Sequence, residues 1–210
     1  MELLEKKIEE AKITLVKQGI SMGMDYGKYR DLVHHLADTK QTTGLPRSEA
    51  NIEYTQLNDR RMRRWDKTFK LPEAIGEKVS NISSRLKFLV LTESWCGDAA
   101  HSMPIMNKIA EANPNIDFKA LLRDENPELM DAFLTNGSRS IPKLVVFDAD
   151  LNEIIAEWGP RPSIATQMAN DYKAMHGTFT PEFKQDLQMW YNKNKGENIL
   201  NDLVGLLPLE

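Results

Sequence analysis

TESWCGDAAHSMP, residues 92–104, joins the end of an apolar run to a segment with helical spacing. The apolar run, LKFLVLTES at residues 86–94, is short and nearly continuous, as in a strand that is buried on both faces. The segment that follows, AAHSMPIMNKIAEANP, has its apolar residues at the spacing of a helix. The stretch therefore predicts a strand, a turn and a helix, with Cys96 at the start of the helix.

The elements after this helix first repeat the pattern and then reverse direction. A second strand is predicted in NIDFKALLRD, and a helix in NPELMDAFLTNG, with Asn126 as its cap and Pro127 at its first position. The segment KLVVFDADLNEIIAEWG, residues 143–159, has two apolar runs around DADLN, which is typical of an antiparallel hairpin. The order predicts a parallel βαβ unit that leads into a β-hairpin.

A further amphipathic helix is expected after the hairpin, in RPSIATQMANDYKAMHG at residues 161–177. Its larger apolar side chains align at helical spacing, which predicts that they form its buried face. They are Ile164, Met168, Tyr172 and Met175.

Both ends of the chain extend this α/β part. Residues 1–84 have helical periodicity throughout, and Ser48 is a candidate helix cap. Residues 178–210 predict another helix and an apolar tail, which must be covered by its own chain or by a second subunit. We expect a helical N-terminal extension over 1–84, a core over 85–177 and a helical C-terminal extension over 178–210, with the added helices either packed on the core or forming a homodimer.

The bulk composition excludes some classes of function. The chain has 210 residues with 41% hydrophobic and 28% charged, and no run approaches the roughly 20 apolar residues of a membrane span. Its formal net charge of −4 gives nucleic acid no general attraction, and RRMRR at 60–64 is interpreted as a solvated helix face. Because the first residues are amphipathic rather than a secretion signal, we expect a cytoplasmic protein without membrane or nucleic-acid partners.

Cys96 is the only cysteine of the chain. An internal disulfide and a cysteine zinc site are therefore excluded. The neighbouring His34 and His35 point about 100° apart on a helix, so we expect no metal site.

Two motifs and the order of the elements together resemble the thioredoxin family. In that family a tryptophan and the nucleophilic cysteine stand at a strand-to-helix junction, as WCG does at residues 95–97. SRSIPKLVVFD resembles the segment whose cis proline faces the cysteine, which places Ile141 and Pro142, and EWGPRP resembles the glycine loop, which places Gly159. The resemblance implies a thioredoxin fold over roughly residues 72–176, with added helices at both ends.

The sequence departs from the family pattern where a second cysteine would act. Ala99 stands at the position of the resolving cysteine, and Asp98 replaces the proline often found before it. Val90 stands where many thioredoxins have a buried acid that helps to deprotonate the resolving cysteine. The resemblance therefore implies at most monothiol chemistry, in which Cys96 forms a mixed disulfide that an outside thiol such as glutathione releases.

The surroundings of Cys96 act on its pKa in opposite directions. The helix N-terminus favours the thiolate, as would His101 if it were protonated, whereas the carboxylate of Asp98 disfavours it. The sequence does not determine whether these effects together raise or lower the pKa of Cys96. We take Cys96 as the one candidate nucleophile and His101 as a candidate modulator, and we expect no bound cofactor. The resemblance implies a partner groove in which the Ile141 backbone pairs with an extended peptide; its residues are Trp95, Gly97, Asp98, Ile141, Pro142 and Gly159.

Two functions from different classes follow. The first is a thiol protein that exchanges disulfides with protein partners or removes glutathione from them through Cys96. The second is a binding module without redox activity, which docks a peptide or protein in the groove beside the cis proline.

Overall fold

The computed structural model describes residues 2–209. Within them, the helices are α1 (Glu2–Met22), α2 (Tyr26–Asp38), α3 (Glu49–Thr68), α4 (Glu73–Ser80), α5 (Gly97–Glu111), α6 (Pro127–Ala132), α7 (Ser163–His176), α8 (Pro181–Asn194) and α9 (Glu197–Val204). The strands in this range are β1 (Leu86–Thr92), β2 (Ile116–Leu122), β3 (Lys143–Asp148) and β4 (Glu153–Trp158).

The strands form a sheet in the order β2-β1-β3-β4. β1 and β2 are parallel with Leu86 opposite Ile116, whereas β3 is antiparallel to both β1 and β4. The hairpin turn is fixed by Asp148, whose Oδ1 accepts the N–H groups of Asp150 and Leu151. The predicted βαβ unit and hairpin are confirmed, and the fold is the thioredoxin fold with added helices.

The core of the molecule surrounds β1, where Leu86 and residues 88–91 are at most 1% exposed. Helices α1 and α5 both pack on this strand. On α1, Gly19 lies directly against the side chains of Leu89 and Leu121, so the helix approaches the sheet closely. The buried strand leads straight into the turn that carries Cys96, which fixes the position of this residue.

The N-terminal segment is helical, as predicted, with one exception. Met24, between α1 and α2, forms an isolated antiparallel bridge with Ala120 and so continues the sheet beyond β2. The Oγ of Ser48 accepts the N–H of Asn51 at 3.2 Å and caps α3, which packs on α5. This contact brings α3 next to the start of α5.

The predicted buried face of α7 is wrong. On α7 the buried residues are Ala165 and Ala169, whereas Ile164 is 50% and Met175 is 72% exposed, because small side chains let this helix pack closely on its neighbours. At the start of α6, Asn126 is the N-cap residue and Pro127 takes the first turn, as predicted, although the Asn126 side chain makes no capping bond and instead donates to the Leu122 carbonyl.

The apolar C-terminal tail is covered by its own chain. Ile199, Leu200 and Leu203 of α9 are buried, and α9 packs on α5 and α7. Over residues 2–209, no helix combines the length and the apolarity needed to cross a bilayer.

Candidate functional site

Cys96 is the N-cap residue of α5, directly after the turn that follows β1. Its backbone N–H donates to the Glu93 carbonyl at 3.0 Å, and its thiol donates to the Ile141 carbonyl at 3.3 Å. The residue is only 6% exposed. The thiol is therefore held against the loop that carries the predicted cis proline.

Two loops meet beside the thiol. The Ile141–Pro142 peptide bond is cis, and Gly159 in the loop after β4 has φ +121°, a conformation that side chains disfavour. A Cβ added at Gly159 would lie 2.0 Å from the carbonyl oxygen of Pro142. The structure thus brings together Cys96, the proline loop and the glycine loop, although their positions span more than sixty residues of sequence.

A cleft of about 450 Å³ opens beside Cys96. Five of the residues proposed for the groove or for catalysis line it: Trp95, Cys96, Gly97, Asp98 and Ile141. Pro142 and Gly159 do not line this cleft; their backbones lie directly against each other. A larger cleft of about 580 Å³ lies near Trp65 and Phe69 and does not include the thiol.

Burial dominates the electrostatics of Cys96. It raises the pKa of the thiol to about 12, and the carboxylate of Asp98 contributes in the same direction. The backbone N–H groups of Ala99 and Asp98, at the start of α5, and the charge of Arg161 lower the pKa by less. The helix N-terminus therefore acts as expected from the sequence, but the thiol stays protonated at neutral pH.

Asp98 lies in a polar network that the sequence reasoning missed. Its Oδ1 accepts the Tyr191 hydroxyl at 2.8 Å, and its Oδ2 lies 2.9 Å from Nε of Arg161. Burial raises the pKa of Asp98, and the neighbouring Arg161 opposes that shift. Arg161 follows the glycine loop, whereas Tyr191 lies on α8, so the C-terminal extension contacts the site directly. No local sequence signal could identify Tyr191.

His101 does not act on Cys96 as proposed. Trp65 Nε1 donates to its Nδ1 at 2.9 Å, so this nitrogen carries no proton, and Nε2 then donates to the Gln188 side chain at 3.1 Å. Its ring also stacks on Tyr191 with the centroids 4.2 Å apart. Burial lowers the pKa of His101 to about 3. His101 would favour the thiolate only if it were protonated, and the imidazole is neutral at pH 7, so it does not act as that modulator.

Glu93, three residues before Cys96, is a second buried acid that the sequence reasoning missed. It is fully buried, and its Oε1 accepts the Asp124 N–H at 2.9 Å. Its Oε2 has no hydrogen-bond partner in the described part of the chain, and burial raises its pKa. The signal was available, since an acid inside an otherwise apolar run is unusual.

Among residues 2–209, no group of three or more His, Cys, Asp or Glu side chains is placed to hold a metal ion.

Comparisons with known proteins agree with this geometry. "Putative thioredoxin 2" of Streptomyces coelicolor is 35% identical over 71 residues, which is 34% of this chain and 50% of that protein. The match thus spans half the length of this relative.

Two solved structures match 90% of this chain with a TM-score of 0.60. One is a Pseudomonas aeruginosa protein of unknown function, PA1234, at 18% identity and 93% of its length; the other is an HIV epitope-scaffold, at 17% identity and 95% of its length. At these identities the likeness shows the fold alone. The model of the family described as Thioredoxin matches residues 44–173, more than half of the sequence, and the chain therefore belongs to the thioredoxin family.

Proposed function

We propose that the chain is a monothiol disulfide-exchange protein that acts through Cys96. The observation that carries the proposal is the position of Cys96, which is the N-cap residue of α5 and whose thiol lies 3.3 Å from the Ile141 carbonyl at the edge of an open cleft. Membership of the thioredoxin family supports a thiol-related role. An extended partner in the cleft would present its disulfide to the thiol from the side that Trp95 and Ile141 border.

The reaction balances without a second cysteine. The Cys96 thiol loses its proton to solvent, and the thiolate attacks one sulfur of the partner's disulfide. One S–S bond forms as the other breaks, and the leaving thiolate takes up a proton. An outside thiol such as glutathione, as its thiolate, then attacks the partner's sulfur in the mixed disulfide; the bond to Cys96 breaks, Cys96 leaves and takes up a proton, and the partner keeps a disulfide with glutathione. A reducing compartment such as the cytoplasm would supply this second thiol.

The test is the formation of a mixed disulfide with oxidised glutathione, followed by intact-protein mass spectrometry. We expect an adduct at Cys96 whose rate of formation rises about tenfold per pH unit between pH 7 and 9, because the pKa of the thiol, about 12, lies above that range. Excess glutathione should remove the adduct. Cys96→Ser should form none, and a wild-type protein without adduct at pH 9 would refute the proposal.

A second candidate is a docking module without redox function. It is favoured by the burial of Cys96, which is 6% exposed with its thiol hydrogen directed at a carbonyl. Serine could donate the same hydrogen bond. This function predicts that partner affinity survives Cys96→Ser, whereas a monothiol enzyme would lose exchange and its covalent complexes with partners.

Restoring a second cysteine is expected to convert the site to dithiol chemistry. Ala99→Cys places a thiol one helical turn after Cys96, where it could resolve the mixed disulfide internally. We expect this variant to gain dithiothreitol-dependent reduction of insulin, measured by turbidity. Ala100→Cys is the matched control, because Ala100 is equally buried at 1% exposure but lies at the next position of the helix. Equal activity in the two variants would contradict the geometry.

A further inference from the structure

The cleft beside Cys96 continues into a second cleft of about 200 Å³ that reaches α8. Both are lined by Tyr54, Gly97, Asp98, Arg161 and Lys184, so they form one surface around the start of α5. We refer to this surface as the Cys96 groove.

The charge of the Cys96 groove is opposite to that of the whole chain. Its lining includes one carboxylate, Asp98, and five cationic side chains: Arg61, Arg123, Arg139, Arg161 and Lys184. The formal net charge of the chain is −4. Acidic side chains therefore lie mainly elsewhere, and the positive potential is concentrated where a partner would bind.

Some of these cations are already paired. Arg161 lies beside Asp98, Arg123 beside Asp124 at 2.8 Å, and Arg139 beside Asp131 at 2.6 Å. The pairs of Arg123 and Arg139 are with carboxylates outside the groove lining. The carboxylate beside each of these three arginines offsets its charge.

Arg61 and Lys184 have no such carboxylate, since neither lies within 4.0 Å of one in residues 2–209. Arg61 donates to the Asn58 side chain at 3.1 Å, and its guanidinium lies against Gly97 at the start of α5. Lys184 is exposed on α8. Two cations thus remain to bind anionic groups close to the reactive sulfur.

We infer that the Cys96 groove selects disulfides flanked by carboxylates, so that the partner is an acidic extended peptide. A carboxylate beside the disulfide would neutralise Arg61 or Lys184, while the peptide backbone lies along the Ile141 loop. This inference rests on the proposed exchange reaction and specifies its substrate class.

The test compares two peptide disulfides that are identical except that glutamates flank the cystine in one and glutamines in the other. We expect the acidic peptide to form the mixed disulfide with Cys96 at least about fivefold faster at low ionic strength, with the preference shrinking towards unity in about 0.5 M salt. Lys184→Gln and Arg61→Gln should each reduce the preference. Lys193→Gln is the matched control on α8, outside both clefts, and should leave it unchanged.

The outcomes separate the two proposals. Equal rates for both peptides would overturn the charge selection while monothiol exchange stands. If neither peptide reacts, the exchange reaction fails. The affinities of the same peptides with serine in place of cysteine, measured by calorimetry, would then decide the charge preference: tighter binding of the glutamate peptide supports it, and equal affinities refute it.

Discussion

Asp98→Asn is expected to increase the alkylation rate of Cys96 at pH 8 by about tenfold. After burial, the Asp98 carboxylate is the largest contribution that raises the pKa of the thiol, and each unit by which the pKa falls gives ten times more thiolate. The variant also leaves Arg161 in place, whose charge favours the thiolate. The measurement is the iodoacetamide reaction rate between pH 7 and 10.

The wild-type rate should rise about tenfold per pH unit over this whole range without a plateau, because the pKa of Cys96 is about 12. Tyr191→Phe is the control, since it removes one hydrogen bond to Asp98 but keeps the carboxylate. It should not accelerate alkylation. If both variants react equally fast, loosened packing rather than charge controls the thiol.

The same Asp98→Asn substitution should lower the free energy of unfolding by about 2 kcal/mol, the typical value of a hydrogen bond to a charged group. Asp98 forms an ion pair with Arg161 and accepts a hydrogen bond from Tyr191, so the loss of its charge weakens two contacts and leaves the Arg161 cation unpaired. Urea unfolding at pH 7 measures this cost. The cost arises from the unpaired Arg161 cation, because burial by itself disfavours the Asp98 charge.

Acidification from pH 7 to 5 is expected to lower the free energy of unfolding by about 2 kcal/mol through His101 alone, because each pH unit well below the unfolded pKa costs about 1.4 kcal/mol. The folded pKa of His101 is about 3, against 6.5 for its model value. Between these values the unfolded chain binds a proton that the folded chain excludes, so stability is present above pH 6.5 and decreases as the pH falls.

Urea unfolding of the wild type and of His101→Gln at pH 7 and pH 5 measures this contribution. The difference between the two pH values should be about 2 kcal/mol smaller in the variant. Because the comparison is made within each protein, any loss of stability at pH 7 cancels. His35→Gln, on the exposed side of α2, is the control and should retain the wild-type difference. Identical pH dependence in wild type and His101→Gln would contradict the buried neutral imidazole.

The order of the elements could be predicted from the sequence because each depends on local spacing. The strand before Cys96, the helix after it and the hairpin from residue 143 all follow from periodicity over ten to fifteen residues. The buried face of α7 could not be predicted this way. Its larger apolar residues predicted one buried face, but the residues that are buried are Ala165 and Ala169. Which face is buried depends on the positions of neighbouring elements, and local spacing does not determine these.

The chemistry of the site depended on contacts between residues distant in sequence. The effect of the helix N-terminus on Cys96 could be predicted because it depends only on neighbouring residues. Burial, which dominates the pKa of this thiol, is a property of the assembled fold. His101 takes its two partners from α3 and α8, and Asp98 takes Tyr191 from α8. None of these contacts can be predicted from the spacing of residues along the chain.

The contact between Gly159 and Pro142 constrains the backbone of the site far more than the exposed side chains around it are constrained. Any side chain at residue 159 would displace the Pro142 carbonyl, so this position tolerates almost no substitution. Lys184 is exposed on the rim of the groove, where replacement leaves the backbone undisturbed. Related sequences could therefore exchange one class of partner for another by altering rim charges, while the scaffold that holds the sulfur is inherited unchanged.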